Sequence, residues 1–76
     1  MTNEEANRKA GLNQHLIGNT YKTEDGDIVT VDSVMVWIVS ENEYETHAFF
    51  VDTDEEDFYV HENIDNIKPP KYILLT

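Results

Sequence analysis

"DIVTVDSVMVWIVS", residues 27–40, decides the fold. Its Val, Ile and Trp residues favour the pleated geometry of a strand, and it is bounded by a turn-forming Asp-Gly on one side and polar residues on the other. The run is too long for one flat strand. The polar pair Asp32-Ser33 interrupts the apolar sequence and predicts a bend or bulge there, as happens where a sheet curls into a barrel. Side chains alternate along a strand, so Val34, Val36 and Ile38 share one face and Met35, Trp37 and Val39 the other. Both faces are apolar. "AFFV", residues 48–51, repeats the feature, with Ala48 and Phe50 opposite Phe49 and Val51. One set fills a core; the other needs a cover, from the N-terminal segment, a second copy of the chain or a partner.

Working outward, "TYKT" (20–23) precedes "EDGD" (24–27), whose Asp25-Gly26 pair predicts a type I′ hairpin turn. Downstream, "ENEYE" turns into "THAFFVD", an acidic stretch turns into "FYV", "HENIDNI" reads as one helical turn, and Pro69-Pro70 precede a last strand, "KYILL". Five short strands joined by tight turns predict a mainly β domain over residues 19–76, a small, strongly bent five-stranded antiparallel sheet or barrel.

Residues 1–18 read as a short helical segment. Thr2 and Glu5 form a capping-box pattern, Glu4 and Glu5 suit the positive end of the helix dipole, and Gly11 offers a left-handed stop. Ala6 and Ala10 are its candidates for burial. A second turn follows at residues 13–17, ended by Gly18, with Leu12, Leu16 and Ile17 expected to pin it to the sheet.

Meandering strands, a long bent second strand and a single helical turn before the final strand resemble the SH3-like small barrels over Asn19 to Leu75. The resemblance implies a fold and no site. Tyr21, Trp37, Tyr44 and Tyr59 do not fall in the pattern of the aromatic groove with which such domains bind proline-rich peptides.

At 76 residues with no cysteine, the chain has neither a disulfide nor a thiolate-zinc cluster to supplement a small core. The N-terminus lacks the apolar region of a secretory signal, and no apolar run approaches the ~20 residues that span a bilayer. A cytoplasmic protein is expected.

The formal net charge of −11 is unevenly spread. Arg8, Lys9 and Lys22 lie toward one end and Lys68 and Lys71 toward the other, while the interval from Thr23 to Ile67 has no Lys or Arg and holds fourteen of the sixteen acids. Counterion release from phosphates requires Lys and Arg, so direct nucleic-acid binding is disfavoured, as is an anionic membrane. The complementary surface is a basic protein. "VDTDEEDFYV", residues 51–60, concentrates the charge in Asp52, Asp54, Glu55, Glu56 and Asp57.

Chemistry beyond charge finds little support. Asp52, Asp54 and Glu56 have the first spacings of an EF-hand, but Asp57 stands where that loop needs Gly and Asn63 where it needs a bidentate Glu. His47 and His61 fall on neighbouring strands, yet no tight His spacing marks zinc, and ordinary cross-strand histidines are expected. No metal or cofactor is predicted. Ser33 and Ser40 sit in no nucleophile elbow, no Gly-rich phosphate loop exists, and a convex charged turn does not separate the pKa values of paired carboxylates. A non-enzymatic protein is expected.

Residues two apart on an extended strand lie roughly 6 to 7 Å from each other on one face. Glu41, Glu43 and Glu45 are expected to form one such series, and Asp52, Asp54 and Glu56 another at the opposite end of the same strand. Such carboxylate arrays resemble the charge pattern of a nucleic-acid backbone, a device used by small acidic inhibitors that bacteriophages encode. That resemblance implies a viral, anti-defence inhibitor of the anti-CRISPR kind, which occupies the Lys/Arg-rich surface of a nucleic-acid-binding protein. Tyr44, Phe58 and Tyr59 would supply apolar anchors. The alternative is an SH3-like adaptor or homodimer working through Met35, Trp37 and Val39.

Overall fold

The computed structural model describes residues 1–55 and 57–76. Helix α1 (Asn3–Leu12) and a 3₁₀ turn (Gln14–Leu16) lead into strands β1 (Thr20–Thr23), β2 (Ile28–Ser40), β3 (Glu43–Asp52) and β4 (Phe58–Asn63). A second 3₁₀ turn (Ile64–Asn66) precedes strand β5 (Tyr72–Leu74). The five strands make one antiparallel sheet in the order β4-β3-β2-β1-β5. The domain is small and mainly β, and its topology is compatible with an SH3-like fold.

The polar interruption in β2 does what its sequence predicts. Val31 pairs with Phe50 and Ser33 with Phe49, so the β2–β3 register slips by one residue at Asp32. The slip keeps Val31 and Val34 on the same face despite their odd spacing. With Val29, Ala48, Phe50, Tyr21, Tyr72 and Ala10 they form the core, against which Leu16, Val60, Ile64 and Ile67 also pack. Phe50 is the largest of its fully buried side chains. Its ring stacks on Tyr72 at 5.3 Å and meets Tyr21 edge-on at 6.0 Å.

Helix α1 starts at the capping box: Glu5 N donates to Thr2 Oγ1 and Thr2 N to Glu5 Oε1, at 3.1 and 3.0 Å. Gly11 is not a left-handed stop. The helix runs through it to Leu12, and Asn13 caps it with a backbone N–H to Ala10 O. Ala6 and Ala10 are buried as expected. Their small side chains let the helix lie close on the sheet, where Thr46 Oγ1 donates to Ala6 O at 2.7 Å and Gln14 Nε2 to Val34 O at 3.0 Å. Of the residues expected to pin the following turn only Leu16 packs on the core, while Leu12 and Ile17 are exposed. Gly18, at φ 94°, ends the segment.

The first hairpin also differs from expectation. Thr23 N donates to Asp27 O, closing a three-residue loop, Glu24-Asp25-Gly26, in which Gly26 alone has positive φ, at 90°. A type I′ turn would require it at Asp25 as well. Asn42, at φ 65°, supplies the positive φ of the β2–β3 turn.

Candidate acidic interface

Antiparallel pairing puts the β1–β2 turn and the β3–β4 turn at the same end of the sheet. Val29, at the start of β2, faces Asp52, the last residue of β3. Thr53 N donates to Ile28 O at 3.1 Å, Thr53 and Thr30 hydroxyls are 2.8 Å apart, and Tyr59 O–H donates to Asp27 Oδ2. These bonds tie the two turns together. One end of the molecule therefore carries Glu24, Asp25 and Asp27 from the first turn beside Asp52, Asp54, Glu55 and Asp57 from the second. Glu56, which belongs to the same acidic stretch, lies outside the described residues.

Asp52 has an internal task. Its Oδ1 accepts from Asp54 N and Glu55 N, at 2.9 and 3.1 Å, and its backbone N donates to Asp57 O at 2.8 Å. The carboxylate thereby satisfies two donors that the turn would leave unpaired. It also means that Asp52 and Asp54 do not form an extended series: the strand ends at Asp52, and the chain turns before Asp54. The charge cluster is a turn stiffened by its own first aspartate rather than a line along a strand. Asp54, Glu55 and Asp57 are exposed, and among the described residues none of them is in a salt bridge.

Aromatic residues flank this end. Phe58 is 64% exposed beside Asp57. Tyr59 lies with Thr23, Glu24, Asp25, Val60, Lys71 and Tyr72 along a groove of about 250 Å³ between the first turn and the β4–β5 side of the sheet. The hydrogen bond to Asp27 holds the Tyr59 hydroxyl above its usual range, as phenolate would face that carboxylate and Asp25 beyond it. Lys71, also on the groove, is paired with Glu62. Burial would raise the Glu62 carboxyl, but the Lys71 ammonium, helped by Asn66 and Tyr72, outweighs it and holds Glu62 below the usual carboxylate range.

The second expected series sits at the far end of β3. Glu41 is in the β2–β3 turn, and Glu43 and Glu45 are on β3. Nine residues of strand at ~3.3 Å each separate Glu43 from Asp52 by roughly 30 Å, so the two acidic groups are separate patches. The far one is partly neutralised. The Met1 ammonium donates to Glu43 Oε1 at 2.8 Å, which raises the ammonium's pKa, and Glu45 Oε1 accepts from His47 Nε2 at 2.8 Å. Tyr44, expected as an anchor, belongs to this far end, where its N donates to Met1 O. Elsewhere Lys9 reaches Asp65 at 2.7 Å and Arg8 reaches Glu4 at 3.1 Å.

The second apolar face is not covered by the N-terminal segment, which packs on the core side at Thr46 and Val34. Met35, Trp37 and Val39 remain 49%, 39% and 47% exposed. Trp37 instead lies against its neighbours on the outer face: ring centroids stand 4.1 Å from His61, 5.6 Å from His47 and 6.2 Å from Phe49. His47 Nδ1 and His61 Nδ1 are 2.8 Å apart. The sequence places His47 and His61 on neighbouring strands but sets neither their contact nor the joining of the two acidic turns, because both depend on register. β3 and β4 pair with a bulge between Phe50 and Val51, and that slip sets His61 opposite Phe49, diagonal to His47.

Among the described residues no three His, Cys, Asp or Glu side chains gather into a metal-binding group, and no helix is long and apolar enough to cross a membrane. No family model matches the chain, and no curated protein or solved structure matches it.

Proposed function

We propose that this is a non-enzymatic binding protein whose acidic end occupies the basic nucleic-acid-binding surface of a partner protein, acting as an inhibitor by imitating nucleic-acid charge. The observation that carries this reading is the convergence of the Glu24-Asp25-Asp27 and Asp52–Asp57 turns. Turns far apart in sequence are bonded together so that like charges project from one stiff end. A cationic cleft relieves their repulsion, and its arginines make charge-assisted, bidentate bonds to Asp54, Glu55 and Asp57. Phe58 and Tyr59 supply the desolvated contact that charge alone lacks. The far patch of Glu41, Glu43 and Glu45 with Tyr44 is secondary, since the N-terminal ammonium and His47 already engage it.

The test has two steps. The immobilised protein captures basic proteins from a host extract at low and at high ionic strength, and each captured protein is then challenged with labelled duplex DNA or RNA. Capture that fails at high salt, together with displacement of the nucleic acid, supports the proposal. A captured partner that binds nucleic acid and this protein simultaneously refutes it.

A second reading rests on the outer face. Met35, Trp37 and Val39 are exposed on a sheet face that the N-terminal segment leaves open, which fits a homodimer or an adaptor working through that face.

A further inference from the structure

We propose that His47 and His61 form a two-nitrogen binding site for a Cu(II)-class divalent cation on the outer face of the sheet. The site is independent of the acidic end. Glu45 Oε1 lies 2.8 Å from His47 Nε2. An ionised carboxylate only accepts, so in the tautomer this contact favours the His47 proton sits on Nε2 and the Nδ1 lone pair is free. That lone pair is turned toward His61 Nδ1, 2.8 Å away. Without metal, the His61 Nδ1–H fills the gap as a hydrogen bond. With metal, His61 takes the other neutral tautomer, its proton on Nε2, and both Nδ1 atoms donate to the cation. Neither ring changes charge and nothing is oxidised or reduced.

Two features make this pair able to hold a metal. The first is Glu45, because a ligating imidazole generally donates its other N–H to a carboxylate that fixes its tautomer and raises its basicity. The second is dimension. Two metal–nitrogen bonds of about 2.0 Å at a right angle put the nitrogens about 2.8 Å apart, whereas a tetrahedral angle needs about 3.3 Å. The observed separation, which an ordinary hydrogen bond also has, fits the edge of a square-planar or tetragonal site, the geometry that Cu(II) and Ni(II) favour over Zn(II). The Irving–Williams order points the same way. No third protein ligand joins the pair among the described residues, so water completes the coordination. Paired backbones hold the ligands, with Phe49 opposite His61 and His47 opposite Asn63.

Trp37, the single tryptophan, rests 4.1 Å from the His61 ring and reports on occupancy through its fluorescence. The experiment titrates the metal-free full chain at neutral pH with Cu(II), Ni(II) and Zn(II) chlorides in turn, in a non-coordinating buffer. The expected result is saturable quenching at one equivalent of Cu(II), weaker binding of Ni(II) and weakest of Zn(II). His61→Ala should weaken Cu(II) at least ~10-fold and Glu45→Gln by ~10-fold, the usual range for an outer-shell partner, with His15→Ala unchanged. Electron paramagnetic resonance of the wild-type Cu(II) complex should show two nitrogen donors, a readout that does not depend on any variant folding. An all-oxygen signal, quenching that never saturates, or an affinity unaltered in a folded His61→Ala variant overturns the proposal and leaves the pair as a hydrogen bond.

Discussion

Neutralising the second acidic turn, with Asp54→Asn, Glu55→Gln and Asp57→Asn combined, should make the protein more stable and less able to bind. Repulsion among residues 52–57 is local in sequence and persists in the unfolded chain, so it nearly cancels from the folding balance. What folding adds is the approach of this turn to the other one. Three carboxylates facing Glu24, Asp25 and Asp27 make nine cross-turn pairs, and turns one or two strand spacings apart put them at about 12 Å. Each pair repels by about 0.35 kcal/mol in water before screening. At ~0.01 M salt, where the screening length is ~30 Å, the nine together cost about 2 kcal/mol, and at ~0.15 M about 0.7 kcal/mol. Asp52 is left intact because its carboxylate caps the turn. Urea unfolding of both proteins should show a gain of about 2 kcal/mol at the lower salt that disappears by ~0.5 M. Binding to the basic partner should meanwhile fall by ~100-fold, at about 1 kcal/mol for each lost charge-assisted contact. A triple variant no more stable than wild type at low salt, or stabilised equally at every salt, refutes the electrostatic reasoning. A stabilised variant that binds unchanged refutes the functional proposal alone.

The homodimer reading predicts that sedimentation finds a dimer at micromolar concentration and that Trp37→Glu returns it to a folded monomer; a monomeric wild type removes that reading. Thr46→Val keeps the shape of a buried side chain but deletes its bond to Ala6 O, so it should cost about 1 kcal/mol in urea melts and increase hydrogen exchange in α1 ahead of the sheet. Unchanged exchange in α1 would mean that the helix is held by packing alone. Burial, and then the Glu62 carboxylate, push the Tyr72 hydroxyl up to about 12. An unfolded tyrosine ionises near ~10, so the stability this group contributes is complete below that pH and is lost as pH rises through its folded value. Ultraviolet titration should find Tyr72 ionising late, with Tyr59 also displaced upward, together with a fall in melting temperature that begins near ~10; four tyrosines ionising together would contradict it.

The sequence showed its local signals well. Thr2 and Glu5 marked the helix start because the capping box is a contact between near neighbours. Asp32-Ser33 marked the bulge because a polar pair in an apolar strand has nowhere to sit on the core face. Misreadings arose where two local solutions compete. Gly11 permits a left-handed stop but does not compel one, and Leu12 and Asn13 extend the helix past it. Asp25-Gly26 suits a two-residue turn, but the bond between Thr23 and Asp27 closes a three-residue loop, which brings Glu24 into the turn as a third carboxylate of the acidic end. The series Asp52, Asp54 and Glu56 assumed a strand continuing past Asp52, whereas that side chain's own hydrogen bonds bend the chain there.

The candidate sites were less legible than the elements because each is assembled by register. One bulge, at Asp32, carries the core from Val31 to Val34, and another, between Phe50 and Val51, sets His61 beside His47. A shift of one residue in either pairing would exchange the two faces of a strand. It would bury charged or polar groups in one case and separate the imidazoles in the other. Both acidic turns meet for the same reason: β2 begins where β3 ends, and Thr53 bonds to Ile28 across that junction. Charge alone drives these turns apart, so the hydrogen bonds and the buried strands behind them must outweigh the repulsion. A fold selected only for solubility gains nothing from forcing like charges together at one end, since spreading them gives the same net charge at lower cost. Concentration held against its own repulsion is what a cationic partner would require.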